Sequence, residues 1–209
     1  MAAVLVATSL APGDAAADDL QANYVERLRL QAQLQTLNAE LLSHDSATAV
    51  LQDLCDRRDP EAPRILARQV DVPDDLPAAN AARRQLGAAA NEPVRRRRVE
   101  LMCGEVVLSR ADNWYLPSRL SAQMNIDLAS TQRPFGVVVR PLGFQRRTLW
   151  ARLLFNPLPP GWEAADPEAF DVPVTVPANV LQHRAILQTP DGRPFALLVE
   201  TYSDRVLLP

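Results

Sequence analysis

The sequence predicts an α+β domain, an antiparallel sheet of about six strands covered by an N-terminal helical hairpin and short helices. Three observations carry this. Leu30, Leu34, Leu37 and Leu41 recur at helical spacing with Arg and Gln between them, which marks a helix from Tyr24 to about Leu42. Runs beyond residue 94 alternate between two faces with period two, as half-buried strands do. Near the C-terminus, strand-forming runs flank Thr189-Pro-Asp-Gly-Arg193, where proline fixes φ and Gly192 supplies φ > 0, so they form an antiparallel hairpin.

Composition bounds what this domain does. The 209 residues are 47% apolar and 22% charged, enough for one ordinary core. A net charge of −3 gives no electrostatic reason to bind nucleic acid or an anionic membrane. All 22 basic residues are Arg, which excludes Schiff-base lysine chemistry. With 7 Gly against 18 Pro there is no glycine-rich phosphate loop. Cys55, Cys103, His44 and His183 are too few and too widely spaced for a zinc site, so no metal is expected. The cysteines are either one disulfide or two buried thiols. Both histidines read as polar surface or capping residues.

The N-terminus has two readings. Ala2 to Ala11 is apolar, and Ala15-Ala-Ala17 resembles a signal-peptidase site, but no Arg precedes Arg27 to supply a charged n-region. Residues 1–22 are a leader, either an export signal or an Ala-rich segment, ahead of a single domain over 23–209. No later stretch is long enough to span a membrane.

Taken in order, the helical hairpin occupies 23–58. Its elbow is Leu41-Leu-Ser-His-Asp-Ser-Ala-Thr48, where Asp45 or Ser46 caps a second helix through about Arg57 with Val50, Leu51 and Leu54 inward. Residues 60–93 read as a linker. Within it Ile65, Leu66 and Val70 suggest a short strand or helical turn, and Asn80 to Leu86 a short helix. The sheet is expected over 94–209. Val94 to Cys103 is a strand that puts Arg97, Val99, Leu101 and Cys103 on one face, and Arg96, Arg98, Glu100 and Met102 on the other. This alternation splits the four-Arg run across two faces, and no aromatics interleave with it, which argues against a nucleic-acid patch. Gly104-Glu105 turns the chain into a strand from Val106 to Leu116. A helix from Arg119 to Leu128 follows, then a loop over Thr131-Gln-Arg-Pro-Phe-Gly136. Phe144 to Phe155 is strand-like around Arg146, Arg147 and Arg152. Val172 to Val176 with Val180 suggests an edge strand, and Val206 to Leu208 a final extension. In the last hairpin Ala196, Leu198, Glu200 and Tyr202 share a face. Glu200 is thus a carboxylate in a mostly apolar strand, which must be exposed, paired or put to use.

In this order the parts resemble chorismate pyruvate-lyase and the wider chorismate lyase-like fold, shared with ligand-sensing domains of some bacterial regulators. Four segments carry the resemblance, which runs from about Leu37 to the C-terminus. The elbow Leu41 to Thr48 is similar to the family's Leu-Leu…Asp-Ser-x-Thr elbow. Arg97-Arg-Val-Glu-Leu-Met-Cys103 is similar to the strand with the family's substrate-binding Arg. Thr131 to Gly136 is similar to its Thr-Pro-Leu-Gly loop, with Phe135 in place of the leucine. Arg184 to Tyr202, with Gly192-Arg-Pro194 and Glu200, is similar to the hairpin with the active-site Glu. The gapless register puts Arg98 on the family's Arg, whereas the alternation prefers Arg97.

The resemblance implies elimination of pyruvate from chorismate to give 4-hydroxybenzoate, feeding ubiquinone synthesis without a cofactor. Arg97, with Arg98 as fallback, would hold the ring carboxylate, and Glu200 would sit at the 4-oxygen. Phe135 and the Ala47 turn would close the apolar walls. The bland reading is an Arg97–Glu200 ion pair across the sheet. The other function is a non-catalytic, exported binding module for a small carboxylate. A lyase belongs in the bacterial cytoplasm, where chorismate is made. An export signal would place the chain in the periplasm or outside, and would favour a Cys55–Cys103 disulfide tying the second helix to the sheet.

Overall fold

A computed structural model describes residues 12–207 apart from 74 and 171, and for 12–22 the backbone alone. Contacts divide the described residues into two compact units, one within 33–155 and 176–207, the other within 12–32 and 156–175. The first contains the sheet. Its elements are the end of helix α1 (Pro12–Ser43), α2 (Ala47–Arg58), β1 (Leu66–Gln69), α3 (Leu76–Gln85), β2 (Arg95–Cys103), β3 (Val106–Tyr115), α4 (Ala122–Ser130), α5 (Phe135–Val139), β4 (Gln145–Leu153), β5 (Asn179–Gln188) and β6 (Pro194–Ser203). The six strands run in the order β1-β2-β3-β6-β5-β4, every pair antiparallel. This is the α+β architecture that the sequence pattern predicts, consistent with a chorismate lyase-like fold.

Each element follows from its local chemistry. In α2 the buried residues are Ala47, Val50, Leu51, Leu54 and Cys55, one stripe at 3.6-residue spacing. The Ser46 hydroxyl caps the helix by accepting from the Ala49 N–H. Asp45 accepts instead from the Arg146 backbone N–H at 2.7 Å, which fastens the elbow to the start of β4. The β2–β3 turn relies on Gly104, whose φ of 56° suits glycine, and the β5–β6 turn on Gly192 at φ 83°.

The sheet has two dissimilar faces. Its front carries Tyr115, Leu187, Ala196 and Leu198, packed with Leu128 of α4 and Phe135, Val138 and Val139 of α5. Its back carries Trp114, Ile186 and Leu197 under Ala82 and Leu86 of α3 and its C-cap. Cys55 of α2 is disulfide-bonded to Cys103 of β2, Cα–Cα 5.8 Å. In the other unit, Tyr24 stacks on Phe170 with ring centroids 5.3 Å apart, and Arg27 donates to the carbonyls of Pro157 and Val172.

Several expectations are corrected. The segment read as a linker contributes β1 to the sheet, so the sheet begins before residue 94. The loop read over 131–136 ends at Pro134, where α5 begins. Val172 to Val176 is not strand, since this Pro-flanked stretch has no ladder partner, and β5 starts at Asn179. The strand extension after Ser203 is a 3-10 turn over Asp204–Val206, capped by the Ser203 hydroxyl. Of the leader, residues 1–11 lie outside the described residues, and the backbone of 12–22 is helical. No helix among the described residues is long and apolar enough to cross a membrane.

Candidate functional site

Register places the expected residues. Glu200 lies opposite Ala111 on β3 and His183 on β5. Arg97 lies opposite Asn113, which lies opposite Leu198. Directly opposed residues share a face, so Arg97, Asn113, Leu198, Glu200, His183 and Tyr202 all point to the front. Arg97 and Glu200 are two strands and one two-residue step apart, about 12 Å between Cα atoms at standard spacings. Both are buried, at 5% exposure each.

They do not pair. Glu200 takes its ion-pair partner from β4, where Arg146 Nη2 donates to Oε2 at 2.5 Å and the two side chains are 2% and 7% exposed. The Tyr202 hydroxyl donates to the same oxygen at 3.3 Å. Burial works against the Arg146 charge, but the Glu200 carboxylate outweighs it and raises the pKa above its ordinary value. Burial, reinforced by Glu200, pushes the Tyr202 hydroxyl well above its usual range. His183 is fully buried rather than a surface residue. Its Nε2 bonds Asn38 Oδ1 at 2.8 Å, and its ring meets Tyr202 edge-on. Burial pushes its pKa down to about 4, so at neutral pH it is an uncharged imidazole.

A small cavity of about 20 Å³, room for a water but not for a ring, opens beside this cluster. Its floor is the sheet, with Glu200, Arg146, Asn113 and Ala111 among the contributors. Its roof is the elbow residues Asp45 to Thr48 together with Phe135 and Gly136 of α5. Glu200, Phe135 and Ala47 are thus brought together. Arg146 Nε is buried and has no hydrogen-bond partner among the described residues.

Arg97 is not brought into this cavity: it lines a separate cleft of about 330 Å³ with Tyr115 and Leu128, and the two share no lining residue. Its Nη2 donates to the carbonyls of Thr131 and Arg133, and its buried Nε and Nη1 have no partner among the described residues. Burial lowers its pKa. Arg98 points to the back face, where it and Arg96 both bind Asp112. The alternation therefore places Arg97, and not Arg98, on the face of Glu200. His44 is exposed and bonds the Glu40 carbonyl.

Sequence reasoning missed Arg146, Asn113 and His183 as members of the cluster. A signal was present for Arg146: it alternates with Phe144 and Thr148, as an inward residue of β4 does. Among the described residues no group of three or more His, Cys, Asp or Glu is placed to hold a metal ion.

Over 187 residues, 88% of its length, the chain is 44% identical to the uncharacterized protein y4mC of Sinorhizobium fredii, covering 78% of that protein. The chain belongs to that family. No protein-family model matches it. Among solved structures it is similar, at 14% identity and a TM-score of 0.41, to the possible transcriptional regulator YydK of Bacillus subtilis. That match covers 69% of this chain, which spans 60% of YydK. PhnF of Mycobacterium smegmatis aligns at 13% identity over 80% of this chain and 67% of its own, TM-score 0.46. The ligand-binding domain of a GntR-family regulator from Bordetella bronchiseptica aligns at 20% identity over 68% and 82%, TM-score 0.36.

Proposed function

We propose that the chain binds a small cyclic or aromatic carboxylate on the front of its sheet and, as the specific reading, that it is a chorismate pyruvate-lyase. The observation that carries this is the charge arrangement on that face. Among the described residues Arg97 is a buried cation with two unbonded N–H groups and no carboxylate partner. About 12 Å away, Glu200 and Arg146 form a second charged centre, where Arg146 Nε has no partner among the described residues. A buried unpaired guanidinium is costly unless something answers it, and a carboxylate answers it best, through two parallel hydrogen bonds.

In the lyase reading the ring carboxylate lies on Arg97 and the 4-oxygen lies by Glu200. The ring loses its hydrogen at C4 as a proton while the ether bond to the ring carbon breaks. The enolpyruvate that leaves takes up a proton at its methylene carbon to become pyruvate. The ring is aromatised, so the driving force lies in the substrate. The protein positions it and carries a proton at the ether end. Arg146 adds positive charge beside Glu200, suited to the enolpyruvyl carboxylate. With about 20 Å³ between elbow and sheet, a ligand enters only as α5 and the elbow part.

A second reading, a binding module without turnover, is favoured by two observations. Arg146 already occupies the Glu200 carboxylate in a buried ion pair, and the Cys55–Cys103 disulfide suits an oxidising compartment, away from the cytoplasmic chorismate supply. Incubation with chorismate decides between them. Formation of 4-hydroxybenzoate, lost in Arg97→Ala and Glu200→Gln, supports the lyase. Binding of 4-hydroxybenzoate without turnover supports the module.

A further inference from the structure

A second, larger cavity of about 600 Å³ lies on the outer side of the roof just described. It is bounded by α2, by the chain entering β1, and by α5 with its preceding loop. Three residues, Ser46, Thr48 and Gly136, line both cavities. At Gly136 the two sides of this wall meet closely: a Cβ there would stand 3.2 Å from Ser46 Oγ and 3.5 Å from Thr48 Oγ1. The outer chamber has the volume of a small-molecule site, which the inner one lacks.

Its lining has a definite chemistry. Leu66 and Val137, 45% and 37% exposed, turn apolar surface into it beside Pro134. Arg64 and Arg140 reach the same space, and neither has a carboxylate within ion-pair distance among the described residues. A third cation, Arg133, is held by Asp127. Asp53 is the acid on this wall. An apolar surface bordered by uncompensated guanidinium groups suits a flat ring bearing a carboxylate.

We infer that this outer chamber is a collecting site for small ring carboxylates, held by Arg64 and Arg140 and passed through the Gly136 seam to the inner centre. The inference rests on the carboxylate-binding reading above and names the access route of that same site. Placing the cations outside the seam raises the local concentration of an anion before the roof parts, so the outer arginines govern arrival more than retention.

The probe is 4-hydroxybenzoate, followed by titration calorimetry and stopped-flow fluorescence on the full chain. Arg64 and Arg140 are exposed, and their replacement by Ala leaves the fold intact. The inner centre is removed separately by the double change R146M/E200L, an apolar replacement of a buried pair that folds tolerate, made on the Arg97→Ala background so that Arg97 contributes nothing to what remains. R64A/R140A is expected to slow association with the parent severalfold, to remove its dependence on salt, and to leave dissociation unchanged. In R97A/R146M/E200L a weak residual binding remains, and adding R64A/R140A reduces it at least fivefold. Gly136→Ala slows both arrival and release. No residual binding in R97A/R146M/E200L, residual binding indifferent to both arginines, or exchange unaffected by Gly136→Ala each overturns the inference. Failure of the inner reading is a separate result: binding that depends only on Arg64 and Arg140, with no tighter phase lost in R97A/R146M/E200L, removes the inner centre and leaves the outer one standing.

Discussion

Arg146 donates to Glu200 at 2.5 Å across the front of the sheet, each side chain more than nine-tenths buried. Removing one member of such a pair leaves a buried charge with no answer, whereas removing both does not. We expect Arg146→Met alone to cost about 3–5 kcal/mol, and R146M/E200L to recover most of that. Urea denaturation of the two single variants and the double closes this cycle. An additive double variant contradicts the pairing.

His183 gives the fold a pH dependence of defined sign. Its pKa falls to about 4 in the fold from an ordinary value of about 6.5. The unfolded chain therefore binds a proton through this interval that the folded chain refuses. Its stabilising contribution is complete above pH 6.5 and is lost as pH falls towards 4, by up to about 3 kcal/mol. Replacing His183 by Gln is expected to flatten the stability profile over that interval, read by thermal unfolding at half-unit steps. A profile parallel to the parent's contradicts the buried neutral imidazole.

The disulfide closes a loop of 48 residues, for which chain entropy gives about 4 kcal/mol. For a domain of this size that corresponds to a melting temperature about 8–16 °C lower on reduction. Cys55→Ser/Cys103→Ser, or dithiothreitol, reads it out. The change also frees α2, which carries the elbow over the inner cavity, so ligand exchange should quicken.

Arg97 and Arg98 are neighbours with opposite prospects. Arg98→Ala breaks a back-face pair with Asp112, beside Arg96, which keeps that carboxylate company. It is expected to leave 4-hydroxybenzoate affinity within twofold. Arg97→Ala is expected to weaken it at least tenfold, the loss of a charge-assisted contact. Equal effects contradict the assignment of faces.

These contrasts show how far the sequence reaches. Period-two alternation was enough to separate Arg97 from Arg98, because a strand has one rule for which side a residue faces. The helical spacing of Val50, Leu51 and Leu54 likewise sufficed for α2, and Thr189 to Arg193 for the hairpin. What stayed hidden is long-range. Glu200 and Arg146 lie on strands that are not adjacent, with β5 between them, and no local pattern tells which cation reaches across. For β1, Ile65, Leu66 and Val70 leave strand and helical turn both open, because a four-residue edge strand in a Pro-rich connection carries too little pattern to decide. His183 looked like a surface residue because burial of a polar ring depends on Asn38, far away on α1.

On the proposed reading, the front face of the sheet holds a ring carboxylate on Arg97 and the opposite end of the ring at Glu200. The most direct test is chorismate turnover by the parent protein beside Arg97→Ala and Glu200→Gln, each shown to be folded. The account predicts 4-hydroxybenzoate from the parent and at least a tenfold loss of its formation in each variant. Neither turnover nor 4-hydroxybenzoate binding by the parent, or product undiminished in both variants, contradicts it.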